Sequence, residues 1–201
     1  MSKDIFDSNI EPKQSRAKQI AQFVIEMAII VAVMLAIRYF LVKPFYVKGA
    51  SMEPNFHDHE YLVIDEISYR LSQPQRGDIL VFKYPKDVKQ YFIKRIVGLP
   101  GEHIKIENGK VYLISSEGKS EEIAENYLPA DTVTDLPLRG YSDIVLGQDE
   151  YFVLGDNRSQ SLDSRIFGPV KKEFLVGRAW IRAWPLNKLT IFENPNYLLA
   201  K

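Results

Sequence analysis

Ser51 sits in Lys48-Gly49-Ala50-Ser51-Met52-Glu53-Pro54, where two small residues precede it and leave its hydroxyl open to an approaching backbone. Pro54 fixes its own φ and pushes Glu53 away from helical geometry, which stiffens the loop after the serine. A serine hydroxyl becomes a good nucleophile only when a base removes its proton. The chain has no cysteine, so a thiol nucleophile, a disulfide framework and cysteine-ligated zinc are excluded. The alternative reading of the heptapeptide is a solvated Gly/Ser turn.

The three histidines are one source of a base. His57 and His59 flank Asp58 just downstream of Ser51, but the members of a catalytic triad usually come from separate elements. Two histidines around one aspartate are also a weak metal site without further ligands. His103 opens a predicted strand, where a surface position is the default.

Lys94 is the more informative candidate. Side chains alternate faces along a strand, so Phe92, Lys94 and Ile96 point one way and Ile93, Arg95 and Val97 the other. If the first face is core, desolvation lowers the lysine pKa and lets the amine act as a general base. If it is solvated, Lys94 simply covers apolar area with its stem. Arg95 has similar neighbours but keeps its proton in any protein environment.

A third constellation, Gly155-Asp156-Asn157-Arg158-Ser159-Gln160-Ser161-Leu162-Asp163-Ser164-Arg165, follows directly on an apolar strand. Ser161 and Asp163 share parity and in an extended segment face one site. A hydroxyl there can hold a neutral lysine, and Asp163 with Arg165 can form a supporting ion pair. The alternative is a self-capped turn, with Asp and Asn bonding their own backbone.

These groups must be positioned by the rest of the 201 residues. Residues 1–19 are polar and mixed in charge and are expected to form a tail. Residues 20–42 form an apolar run of the length that spans a bilayer, interrupted by Glu26 and Arg38 near its ends. Arg38 can snorkel and Tyr39 suits an interface. A cleaved signal peptide would have a shorter apolar core and a small-residue cleavage site. Lys13, Arg16 and Lys18 before the run nearly balance Arg38, Lys43 and Lys48 after it, so charge leaves its orientation open.

From Phe45 the pattern turns to period two. Strands are predicted at Tyr61–Ile64, Ile79–Tyr84, Gln90–Val97, Tyr151–Leu154 and Leu175–Trp184, with a hairpin over His103–Ile114 turning at Asn108-Gly109. Ser115–Asp143 is polar and reads as long loops or a small excursion with little core of its own. The expected fold is mainly β, a sandwich or barrel over 43–201. Lysines plus arginines equal aspartates plus glutamates at 26 each, which gives no basic footprint for a nucleic-acid partner.

The sequence resembles type I signal peptidases, membrane-bound serine proteases that cleave signal peptides from exported proteins. The resemblance runs in order through Gly49-Ala50-Ser51-Met52-Glu53-Pro54, Arg76-Gly77-Asp78-Ile79-Leu80-Val81-Phe82, Lys94-Arg95-Ile96-Val97-Gly98-Leu99-Pro100-Gly101, and Gly155-Asp156-Asn157-Arg158 through Ser161, Asp163, Ser164, Arg165 and Gly168. It implies Ser51 as nucleophile, Lys94 as general base, Ser161 as the serine that orients the lysine, and Asp163 and Arg165 as supporting residues. Gly49, Ala50 and Met52 would lie around the oxyanion and substrate. It further implies a β-rich catalytic domain outside the cytoplasm, one anchor with a cytoplasmic N-terminus, preprotein signal peptides and the lipid bilayer as partners, and no metal or organic cofactor. Neither composition nor resemblance specifies an oligomeric state. Some members carry a serine two positions before the nucleophile that helps stabilise the oxyanion, where this chain has Gly49.

Overall fold

In a computed structural model, residues 16–40, 42–137 and 140–192 are described, with side chains of 36–42 excepted. Residues 1–15 of the expected tail, and the side chains of Arg38 and Tyr39, lie outside that description. The chain divides into two compact units, Met1–Phe40 and Leu41–Lys201.

The first unit is helix α1, Arg16–Phe40. Its run of Ala, Ile, Val, Met and Leu is apolar on all sides, which in water would leave no face to solvate. At 1.5 Å per residue its 25 residues reach roughly 37 Å, more than the ~30 Å hydrocarbon core of a bilayer. Within it Gln22 donates to Glu26 at 3.0 Å, giving the acid a polar partner on its own helix. Among the described residues this is the one helix long and apolar enough to cross a membrane. Val42, the last residue of the apolar run, pairs with Asp65 in a strand.

The second unit is mainly β. Strands β1 (Val42–Tyr46), β2 (Tyr61–Asp65), β3 (Ile79–Tyr84), β4 (Asp87–Gly98), β5 (His103–Glu107), β6 (Lys110–Ile114), β7 (Ser120–Glu122), β8 (Asp143–Val145), β9 (Glu150–Leu154), β10 (Val170–Lys171), β11 (Leu175–Trp184) and β12 (Thr190–Ile191) form two sheets. The larger runs β1-β2-β11-β3-β4-β9-β10, with β12 on β11, and the smaller runs β7-β6-β5-β8. The β5–β6 hairpin turns at Asn108 and Gly109, both with positive φ, as an Asn-Gly turn of this length requires.

Ser115–Asp143 is the small excursion of the two readings rather than plain loop. It supplies β7 to the edge of β6, Ile123 is buried against Ile104, Ile106 and Val111, and Asp143 opens β8. Its short strands are too polar to show a period, and only pairing with the hairpin orders them. A twelfth strand, β12, also follows β11, the last strand that the sequence pattern predicts.

The long central strand β4 positions the chemistry. Antiparallel pairing sets Leu80 opposite Lys94 and Phe82 opposite Phe92. Leu80, Phe82, Ile96, Tyr151, Val153 and Phe167 then form one continuous buried cluster on that face, with Phe92 packed against it. On the other face Ile79, Val81 and Ile93 join Met52, Phe56 and Leu62 in a second cluster. Both faces of β4 from Ile93 onward are therefore core, and each fully buried large apolar side chain contributes about 1.5–3 kcal/mol.

Candidate active site

Lys94 is 4% exposed, and its Nζ donates to Ser51 Oγ at 2.7 Å and to its neighbour's carbonyl, Ile93 O, at 2.9 Å. The Phe92 ring centroid lies 5.5 Å from the same nitrogen. Burial strips water from the ammonium and pulls its pKa from 10.5 down to about 8, while the Asp163 and Asp156 carboxylates hold it up against that pull. An amine that has lost its proton at this position has a lone pair within bonding distance of the serine hydroxyl.

Ser51 reaches Lys94 from a tight turn. The Glu53 N–H donates to Ala50 O at 3.1 Å and the Phe56 N–H to Met52 O at 2.9 Å, so the turn closes on both sides of the serine. Met52 and Phe56, each 1% exposed, root it in the core. The Glu53–Pro54 peptide is cis. Upstream, Gly49 has φ +91°, a conformation that favours glycine, and its N–H donates to Asp58 Oδ1 at 2.9 Å. A side chain at Gly49 would point into open space.

The third constellation closes the site. After β9 the chain passes Gly155, makes a 3₁₀ turn at Arg158–Gln160, and enters the short helix Ser164–Phe167. Ser161 and Asp163 are buried and extended on either side of the more exposed Leu162, so the two do share a face although helical turns flank them. Asp163 bonds Arg165 through Nε and Nη2 at 2.8 Å each, and its second oxygen accepts the Gly155 N–H at 3.1 Å. Arg165 continues to the carbonyls of Arg158 at 2.7 Å and Asp135 at 2.8 Å. The Asn157 N–H donates to Ser51 O at 3.1 Å, joining this loop to the Ser51 turn.

Ser161 departs from the expected contact. Its buried Oγ has no hydrogen-bond partner among the described residues, because Lys94 directs its bonds to Ser51 and Ile93 instead. Ser161 Oγ and Ser51 O nonetheless crowd the same side of Gly155, where a Cβ would lie 2.1 Å and 2.5 Å from them. The hydroxyl is thus beside the Ser51 turn and available as an acceptor.

The histidines lie apart from this arrangement in their bonding. His57 Nδ1 stands 3.7 Å from Glu53, His59 Nδ1 2.9 Å from Asp58, and His103 Nε2 2.5 Å from Asp143. Two supporting residues, Arg95 and Asp156, carry no role in the sequence reading. Their side chains form a buried double hydrogen bond at 2.8 and 2.6 Å, and Asn55 of the Ser51 loop donates to the same carboxylate at 2.8 Å. The available signal is Arg95 itself: an arginine on an apolar strand with two buried faces must have a carboxylate partner.

The geometry brings a serine hydroxyl within hydrogen-bond distance of a buried lysine amine. The chain matches the family described as signal peptidase, peptidase S26, over residues 20–184. It is 40% identical over 172 residues to a probable signal peptidase I-2 of Synechocystis sp. (strain ATCC 27184 / PCC 6803 / Kazusa), covering 82% of this chain and 74% of that protein. It is 30% identical over 191 residues to signal peptidase IB of Staphylococcus aureus (strain MRSA252), covering 89% and 96%. A crystal structure of a signal peptidase I from Enterococcus faecalis V583 shares 33% identity, covering 53% of this chain and 97% of that one, with a TM-score of 0.42. The chain belongs to the signal peptidase S26 family. It is accordingly a hydrolase, a serine endopeptidase of the signal peptidase I type.

Proposed function

We propose that this chain removes N-terminal signal peptides from exported preproteins by a Ser51 nucleophile and a Lys94 general base. The observation that carries the reading is the 2.7 Å contact between Lys94 Nζ and Ser51 Oγ in a setting that lowers the lysine pKa to about 8. In its neutral form Lys94 takes the Ser51 proton as Oγ bonds to the scissile carbonyl carbon. The tetrahedral intermediate then collapses, the C–N bond breaks, and Lys94 returns the proton to the leaving amine. Lys94 next takes a proton from water as it attacks the acyl ester, and the proton ends on Ser51 Oγ as the enzyme is freed.

Ser161 is assigned to accept an N–H from the neutral lysine and hold it toward the serine, while the Asp163–Arg165 pair fixes the loop that carries Ser161. The Ser51 backbone N–H is assigned to the oxyanion, with the open space at Gly49 admitting water or a substrate group as a second donor. Ala50 and Met52 would border the bound peptide, which is taken to be extended, with small residues near the cut, and to add as a strand beside the Ser51 segment. No metal or organic cofactor takes part in these steps.

Helix α1 is assigned as a single transmembrane anchor with the N-terminus cytoplasmic and the peptidase domain outside. Anchoring confines enzyme and preprotein to one surface, which raises their effective concentration. The test is conversion of a radiolabelled preprotein by the purified full-length chain in liposomes, with sequencing of the new N-terminus. Release of the mature N-terminus is expected; an uncut preprotein would remove the reading.

A further inference from the structure

We infer that Tyr127 is a positioning residue that locks together the segments carrying Ser51, Lys94 and Ser161. The inference rests on the chemistry proposed for Ser51 and Lys94. Tyr127 belongs to the Ser115–Asp143 stretch, and it reaches three different elements with three different parts of the residue. Its ring covers the Arg95 guanidinium, with Cζ 3.9 Å from the ring centroid. Its carbonyl accepts from Asn55 Nδ2 at 3.0 Å. Its hydroxyl accepts from Arg158 Nη2 at 3.2 Å and donates to Glu125, which also binds Arg158.

Each contacted residue is next to a group of the proposed chemistry. Arg95 follows Lys94 on β4, Asn55 lies in the loop after Ser51, and Arg158 begins the 3₁₀ turn that Ser161 directly follows. Asp156 ties two of them together, since its carboxylate takes bonds from Arg95 and from Asn55. Arg95 is 5% and Asp156 2% exposed, so the Tyr127 ring acts as a cover over one face of an ion pair held out of water. A planar guanidinium prefers an aromatic face on which to stack, and a hydrogen-bond network of this kind is stronger when dry. Without the ring, water reaches the pair and the Asn55 bond competes with it, which loosens the Ser51 turn relative to Lys94. Misplacement by about 1 Å costs on the order of 10²-fold in rate.

The test measures kcat and KM of the full-length enzyme in detergent on a peptide spanning a signal-peptide junction, for Tyr127→Phe, Tyr127→Leu and Tyr127→Ala beside Lys94→Ala. Tyr127→Phe keeps the ring over Arg95 and loses only the hydroxyl, whose partners Arg158 and Glu125 still bond each other directly, and is expected within about threefold of wild type in kcat. Tyr127→Ala is expected to lose on the order of 10²-fold in kcat with KM little changed. Tyr127→Leu fills the space without an aromatic face and is expected to lose at least about tenfold in kcat. A Tyr127→Ala enzyme at wild-type kcat, a loss confined to KM, or a Tyr127→Phe enzyme as impaired as Tyr127→Ala overturns the inference. Should Tyr127→Ala not fold, a folded Tyr127→Leu enzyme at wild-type kcat overturns it equally. Lys94→Ala separates the two readings: if it turns over, the proposed base is wrong, whereas an inactive Lys94→Ala beside an unaffected Tyr127→Ala removes the role of Tyr127 alone.

Discussion

Gly155 and Ser161 approach so closely that a methyl group on Gly155 would lie 2.1 Å from Ser161 Oγ. The same methyl would lie 2.5 Å from Ser51 O, a backbone atom that cannot swing aside. Glycine is therefore required here for proximity, since it lets the Ser161 loop press against the Ser51 turn.

Gly155→Ala must push Ser161 and Ser51 apart. The expected result is a fall in kcat on the order of 10²-fold, with a far-ultraviolet circular dichroism spectrum like that of wild type. Wild-type kcat in this variant would mean that the contact between the two loops does not matter for turnover.

The pH dependence follows from Lys94. Its ammonium ionises at about 8 in the folded protein against 10.5 for an ordinary lysine. In the proposed mechanism the active form is the neutral amine, so kcat/KM should rise with pH along a limb with its midpoint near 8. Stability has the same sign. Below pH 8 the folded state carries a buried charge that the unfolded chain hydrates, a penalty of at most about 3 kcal/mol that shrinks as pH rises from 8 toward 10.5. Lys94→Met should therefore melt above wild type at pH 7, and the gap should narrow at pH 10. A rate profile flat between pH 6 and 9 would count against Lys94 as the base.

Much of this site is legible in the order of the residues. Lys94 between Phe92 and Ile96 on a period-two run leaves a desolvated and a solvated amine both open, and the core on both faces of the second half of β4 decides for the desolvated one. Ser161 and Asp163 share parity along the chain and are buried together. The roles of Arg95, Asp156, Asn55 and Tyr127 are hidden because their contacts join residues far apart in the chain and arise only when β4, β9 and the Ser51 loop meet. Polar residues in Ser115–Asp143 look like loop for the same reason: Glu125, Tyr127 and Thr134 bind Arg158 or cover Arg95, partners that no local pattern discloses.

Asp163, fully buried, compensates Arg165 and caps the Arg165 N–H at 3.2 Å. Asp163→Ala strands a buried guanidinium and frees the Gly155 N–H, so a loss of about 3–5 kcal/mol in stability is expected. Urea unfolding in detergent measures it. A change below about 1 kcal/mol, the scale of a surface pair, would show that Arg165 finds another partner.

The absence of cysteine makes the proposed topology directly testable. Ser116→Cys, at an exposed position of the peptidase domain, should react with a membrane-impermeant thiol reagent in intact cells. Ser8→Cys, before the helix, should react only after the membrane is opened. Labelling in the reverse order would invert the assigned orientation.

The central claim is that Lys94 takes the proton from Ser51, and the most direct measurement is single-turnover cleavage of a preprotein by Lys94→Ala beside Ser51→Ala and wild type. Both variants should fold, Ser51→Ala should lack the attacking oxygen and not cleave by this route, and Lys94→Ala should cleave slower than wild type by about 10²–10⁴-fold or more, the share that general-base catalysis supplies. A Lys94→Ala enzyme that cleaves within about tenfold of wild type, less than that share, would contradict the account.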